Sequence, residues 1–153
     1  MNTIKLKVRK VLFDNKNINV IRYIINGKDF IELVKKVELP FAKAEKHLII
    51  AGGYEGLRME EVIYPSEHLL GYPDPSYEYE GKTQLLTCKG CREPGCWPLF
   101  AKIKVTKDKV IWSDFEQPHR GHTSHNEWKY DKLGPITFNR REYEEELHRV
   151  KKE

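Results

Sequence analysis

Leu99-Phe100-Ala101-Lys102-Ile103-Lys104-Val105-Thr106-Lys107-Asp108-Lys109-Val110-Ile111-Trp112-Ser113-Asp114-Phe115 is the stretch on which the fold turns. Ala101, Ile103 and Val105 alternate with Lys102 and Lys104, a period of two that puts the apolar side chains on one face of a strand. Val110–Phe115 is rich in β-branched and aromatic residues and reads as the partner strand, with Lys107-Asp108 as a two-residue hairpin loop. Toward the carboxyl end, Glu127–Tyr130 and Ile136–Phe138 are two further short strand candidates separated by Gly134-Pro135. A helix then closes the chain. Asn139 supplies its cap, Glu142 sits three residues on, and Tyr143, Leu147 and Val150 form a stripe at helical spacing.

Toward the amino end the same logic applies. Ile4, Leu6 and Val8 alternate with Lys5, Lys7 and Arg9, the pattern of a half-buried strand. The phase breaks at Lys10-Val11-Leu12-Phe13, which predicts a bulge or a strand end there. Asp14–Asn17 supplies turn chemistry, and Ile18–Ile25, apolar on both faces, reads as a central strand, so the two form a hairpin. Asp29 and Glu32 open a helix carrying Phe30, Ile31, Leu33, Val34 and Val37, which Pro40 is expected to stop. The middle is loop-rich. Ala42–Ala51 fits a short helix or a strand. Gly52-Gly53-Tyr54-Glu55-Gly56 is a turn without the Lys-Ser/Thr of a phosphate loop, and in Tyr64–Pro75 only Ser66–Leu70 is potentially helical. No repeat or linker divides the chain, so residues 1–153 are expected to form a single α+β domain.

Composition narrows the classes. Hydrophobic residues make up 39% and aromatics 11%, too apolar for a disordered chain, and no window is long and apolar enough for a membrane span. The start is broken by lysines, unlike a signal peptide, and three cysteines without an export signal suit a reducing compartment, so a cytoplasmic protein without a membrane partner is expected. Net charge is +4, unevenly spread. Residues 1–50 carry 11 basic and 5 acidic side chains, and residues 51–100 carry 4 and 8. The basic excess lies on alternating strand positions and reads as a solvated face rather than a nucleic-acid footprint. A nucleic-acid surface of Lys5, Lys7, Arg9, Lys102 and Lys104 is the weakest of the readings.

Two constellations carry potential chemistry. Cys88 and Cys91 have the spacing of a zinc knuckle, Cys96 follows the Pro94-Gly95 turn, and His119 is a candidate fourth ligand, together a Cys3His set for zinc. The same cysteines also fit reduced packing thiols, a redox pair, or a disulfide joining Cys88 to Cys91 or Cys91 to Cys96. The second constellation is the strand end Trp112-Ser113-Asp114-Phe115-Glu116-Gln117-Pro118-His119-Arg120. There Asp114 or Glu116 would orient His119 for general-base work, or His119 and Arg120 would simply hold the corner. Trp112, Asp114, Glu116 and Arg120 are the candidate binding residues. A second candidate surface is the acidic segment Tyr54–Tyr79 with its five tyrosines.

The segments Gly52–Leu57, Cys91…Gly95-Cys96-Trp97-Pro98-Leu99, Trp112–Arg120, Trp128…Tyr130 and Leu133–Arg140…Tyr143 occur in an order that resembles a family of small uncharacterised bacterial proteins. That family has a Cys-Gly-x-x-Gly-Cys-like turn before a Trp-x-x-Phe-x-Gln-Pro-His strand. The resemblance covers about two-thirds of the chain, from Gly52 onward. It departs at Cys88-Lys89-Gly90-Cys91, where the family has Cys-x-Cys-Gly, so it does not carry the knuckle geometry. It implies a bacterial cytosolic protein and brings no activity with it. The expectation is a non-enzymatic module that binds a protein partner, toxin neutralisation being one concrete form. The alternative is a zinc-binding domain or metal-dependent enzyme built on Cys88, Cys91, Cys96 and His119, so whether the chain catalyses a reaction stays open.

Overall fold

The alternation at the amino end produces a hairpin of β1 (Ile4–Phe13) and β2 (Lys16–Ile25) in the computed structural model, which describes residues 1–90 and 96–151. The register runs unbroken through ten antiparallel pairs, from Ile4 opposite Ile25 to Phe13 opposite Lys16. The bulge or strand end expected at Lys10–Phe13 is therefore absent. Asp14 and Asn15 both take positive φ (51° and 61°), which makes a two-residue turn whose twist matches the strands. The apolar phase breaks because the cover changes sides. Ile4, Leu6 and Val8 lie on one face; past them the opposite face is covered, with Val20 buried beside Arg58 and the Arg58 guanidinium 5.8 Å from the Phe13 ring centre. Leu12, on the uncovered face, is 72% exposed.

β3 (Lys28–Asp29) pairs with the end of β2 and leads into α1 (Phe30–Ala44), where the Asp29 carboxylate accepts from the Ile31 N–H as an N-cap. Phe30, Ile31, Val34, Glu38 and Ala42 form the buried stripe. Pro40 does not stop the helix. It sits on the exposed side, and the carbonyl it leaves without a helical donor is that of exposed Lys36, within reach of water.

The second sheet is antiparallel, in the order β4 (Tyr54–Gly56), β6 (Lys82–Cys88), β7 (Leu99–Val105), β8 (Lys109–Glu116), β9 (Ile136–Asn139), with β5 (Glu78–Tyr79) paired to β6. Lys107-Asp108 turns the chain between β7 and β8 as read, with Val105 opposite Val110. Glu127–Tyr130, expected as a strand, is irregular. α2 (Met59–Val62) is one turn, and α3 (Arg140–Lys151) starts at the Asn139 side chain, which accepts from the Glu142 N–H. The fold is α+β, with helices set against antiparallel sheets.

The two sheets are stitched at both ends. Ile21 N–H donates to the Leu57 carbonyl (3.0 Å), and Asn2 N–H donates to the Thr137 carbonyl (3.0 Å). At the first stitch Gly56 is crowded by the Ile21 carbonyl, leaving no room for a Cβ. Between the sheets, Trp112 stands edge-on to Tyr23, Phe30 and Phe138 at centroid distances of 5.3, 5.5 and 5.2 Å. Its Nε1 donates to the Tyr143 hydroxyl, which donates to the Leu69 carbonyl (2.6 Å). Trp112 has no solvent exposure, so this candidate binding residue is instead the hub of the core.

One edge is capped at Leu6 by a side-chain pair. On β1, the Leu6 N–H donates to Glu146 Oε2 (2.6 Å) and the Leu6 carbonyl accepts from Arg149 (2.8 Å), whose guanidinium also bonds Glu146. The pair takes the hydrogen bonds that a further strand would use.

Gly56→Ala is expected to lower stability by about 3 kcal/mol through overpacking against the Ile21 carbonyl. Gly27→Ala, which meets open space and only strains a positive φ, should cost about 1 kcal/mol. Urea unfolding of both variants checks the order.

Candidate functional site

The site is built where β8 ends. Opposite Ala101 on β7, β8 carries two residues, Asp114 and Phe115, since Phe100 pairs with Glu116 but Lys102 pairs with Ser113. Asp114 takes up the extra residue with φ 52°, a left-handed conformation its short polar side chain tolerates. The bulge resets the strand's phase; past it Phe115, Glu116 and Gln117 are each buried, while Asp114 faces solvent.

Gln117 begins a buried polar chain. Its Oε1 accepts from the His119 N–H (3.0 Å), closing a single 3-10 turn at Pro118–Arg120, and its Nε2 donates to the Tyr54 hydroxyl (3.4 Å). The hydroxyls of Tyr54 and Tyr130 both donate to Glu38 Oε2, at 2.5 and 2.6 Å, and the Gly52 N–H donates to Oε1 at 2.8 Å. Burial pushes the Glu38 carboxyl above its usual range against these donors.

Nearer the surface, Arg120 forms a fork with Glu45 at the end of α1 (Nε to Oε2 2.9 Å, Nη2 to Oε1 2.9 Å). Its guanidinium lies 5.4 Å from the Trp97 ring and 5.7 Å from the Trp128 ring, and Trp128 Nε1 donates to Glu45 (2.6 Å). The Arg120 fork, followed by the Trp128 indole, holds the Glu45 carboxyl low. His119 lies flat on Trp97 (5.5 Å, 6°) and Phe41 stacks on Trp128 (6.4 Å, 21°). Trp97 Nε1 is buried without a hydrogen-bond partner among the described residues.

On the other side of the corner, Glu116 accepts from Lys82 Nζ (2.7 Å), the His122 N–H (3.0 Å) and His122 Nδ1 (2.7 Å). Gly121 lies against the Glu116 carboxylate, too close to carry a Cβ. Burial opposes charge on Glu116, yet Lys82 and His122 hold its carboxyl low; Glu116 in turn raises His122, with Glu80 adding to the effect at 3.4 Å.

Sequence reasoning brought a carboxylate and an imidazole together at this corner and paired the wrong ones. Glu116 orients His122, whereas His119 serves the aromatic stack. Glu116 and Arg120 are both in the site, Asp114 stands exposed at its edge, and Trp112 belongs to the core. Cys91 lies outside the described residues. Cys88 is half-buried at the end of β6 and Cys96 is exposed. Among the described residues, the one group of three ligand atoms within 4.8 Å of one another is Glu80, Glu116 and His122, not Cys88, Cys96 and His119. The Lys82 ammonium already supplies Glu116 with a cation, which disfavours a metal ion there. Glu38, Glu45 and Lys82 escaped notice because their partners lie 14 to 92 residues away along the chain. No described helix is long and apolar enough to cross a membrane.

Comparison with protein-family models, with curated proteins and with solved structures finds no match in any of the three.

The two buried or tethered histidines titrate with opposite sign. Glu116 raises His122, so its stabilisation is full below the unfolded value of about 6.5 and is lost as pH rises through the folded one. Burial lowers His68, whose Nε2–H donates to the Gln84 carbonyl (2.5 Å), so its effect is a loss of stability as pH falls below about 6.5. His122→Asn is therefore expected to lower the melting temperature more at pH ~5 than at pH ~8. Glu116→Gln should return the His122 NMR titration toward its ordinary value.

Proposed function

We propose that the protein is a non-enzymatic binding module whose partner is a protein segment combining apolar anchors with acidic residues. The observation that carries this reading is a groove of about 570 Å³ beside the aromatic stack. Leu33, Val37, Pro40 and Phe41 of α1 form one wall and Leu133 the other. Lys36, Lys129 and Lys132 stand along it, with Asp131 as the single acidic lining residue. An apolar floor under a basic rim suits apolar side chains carried between carboxylates.

The rigidity of the groove supports the same reading. Phe41 is backed by Trp128, Trp128 by Glu45 and Arg120, and the segment carrying Lys129–Leu133 is tied below by Tyr130 to Glu38. A preorganised wall loses little entropy on binding. The carboxylates and the guanidinium of the site are engaged with one another, an arrangement suited to a scaffold rather than to proton transfer. Of the tyrosines in the acidic middle segment, Tyr54 is buried, Tyr64, Tyr77 and Tyr79 are half-buried, and Tyr72 alone is exposed, so the aromatic corner is the stronger candidate surface.

Selection from a displayed library of linear peptides tests the proposal. Enriched ligands are expected to carry acidic residues around apolar anchors. The double variant Lys36→Glu, Lys132→Glu should weaken the best of them about tenfold, while Lys104→Glu on β7 leaves affinity unchanged. Failure to enrich any ligand, or ligands that bind the double variant equally well, would overturn it.

A further inference from the structure

The opposite flank of α1 carries a surface of different chemistry. After the helix, the chain turns through Lys46 at φ 58°, where glycine is usual, with the Lys46 N–H donating to the Lys43 carbonyl and the His47 N–H to the Ala42 carbonyl. Leu48–Ile50 then forms a single 3-10 turn folded back along the helix, so that Gly52 rests against the Lys35 side chain. This geometry pushes two aliphatic side chains outward: Leu48 is 55% exposed and Ile49 82%, and the exposed Leu39 lies on the same flank of the helix. Lys43 and Lys46 precede them closely in the chain and Lys35 lies against Gly52 just after them, all three exposed. Glu45, the acid nearest in sequence, faces the other way and is held by Arg120. On the exposed side of α1, Glu32 in the first turn is the one acidic side chain among the described residues.

We infer that this surface docks the protein on an anionic membrane, with Leu48 and Ile49 entering the headgroup region and Lys35, Lys43 and Lys46 facing lipid phosphates. The charge selects an acidic partner, and the shape selects a fluid one. Ile49 is 82% exposed on a single 3-10 turn, and a bilayer accommodates an exposed aliphatic side chain without needing a matching pocket. Interfacial attachment ordinarily takes two signals, an apolar insertion and a basic patch, and both are present between Lys35 and Ile49. This surface is separate from the groove and does not depend on it.

Sedimentation of the full chain with phospholipid vesicles tests the inference. The protein is expected to pellet with phosphatidylcholine vesicles containing phosphatidylglycerol and to bind phosphatidylcholine alone about tenfold less, with binding falling as salt rises. The double variant Leu48→Asp, Ile49→Asp should keep its melting temperature, because both side chains are exposed, and lose vesicle binding. Lys43→Glu with Lys46→Glu should do the same, and Lys132→Glu in the groove should leave vesicle binding intact. Three results would overturn the inference: no pelleting with anionic vesicles, pelleting equal on neutral ones, or pelleting that survives the Leu48 and Ile49 substitutions. Binding of soluble polyglutamate through these residues, with vesicles ignored, would assign the patch to an acidic protein instead.

Discussion

A carboxylate without solvent exposure needs donors, and Glu38 finds three on three separate segments of the chain. Tyr54 comes from β4, Tyr130 from the irregular segment after β8, and Gly52 from the turn that follows α1. Removing one of these donors leaves part of a buried acidic group unsatisfied, at a cost of about 1–3 kcal/mol. The position of α1 against the second sheet is thus tied to the position of the segment that forms the opposite wall of the groove. The apolar channel between them exists because a polar knot beneath it holds both sides.

Above that knot the aromatic corner uses the same economy. Arg120 packs beside two indoles and forks onto Glu45, so one guanidinium joins α1, the Trp97 segment and Trp128. The bulge at Asp114 makes this possible. Without the extra residue, Phe115, Glu116 and Gln117 would each exchange faces, and neither the Glu116–Lys82–His122 cluster nor the Gln117–Tyr54 link would form where it does.

Strands and helix starts were legible because they depend on local periodicity and capping. The β7–β8 hairpin, the Asp29 and Asn139 caps and the β1–β2 pairing all follow from residues a few positions apart. The failures share one cause. The apolar phase shift in β1 reflects which tertiary cover each face meets, Pro40 is tolerated because its side of α1 is open, and Trp128 sits in irregular chain because Arg120 and Glu45 fix it. None of these is encoded near the residue concerned. For the candidate site, the strand end and its Glu116, His119 and Arg120 were visible from type and spacing. The pairing of Glu116 with His122 rather than His119 came from the turn at Gly121, whose close fit to the carboxylate leaves no local signature.

The closure of the β1 edge has a consequence for synthesis. Leu6 leaves the ribosome some 140 residues ahead of Glu146 and Arg149, which occupy its outward backbone groups. Throughout that interval the nascent hairpin presents a free edge guarded only by the repulsion of Lys5, Lys7 and Arg9. The lysine-rich alternation at the start of the chain thereby acquires a temporal role. Its charge discourages neighbouring nascent chains from pairing with an edge whose permanent cover is made some 140 residues later.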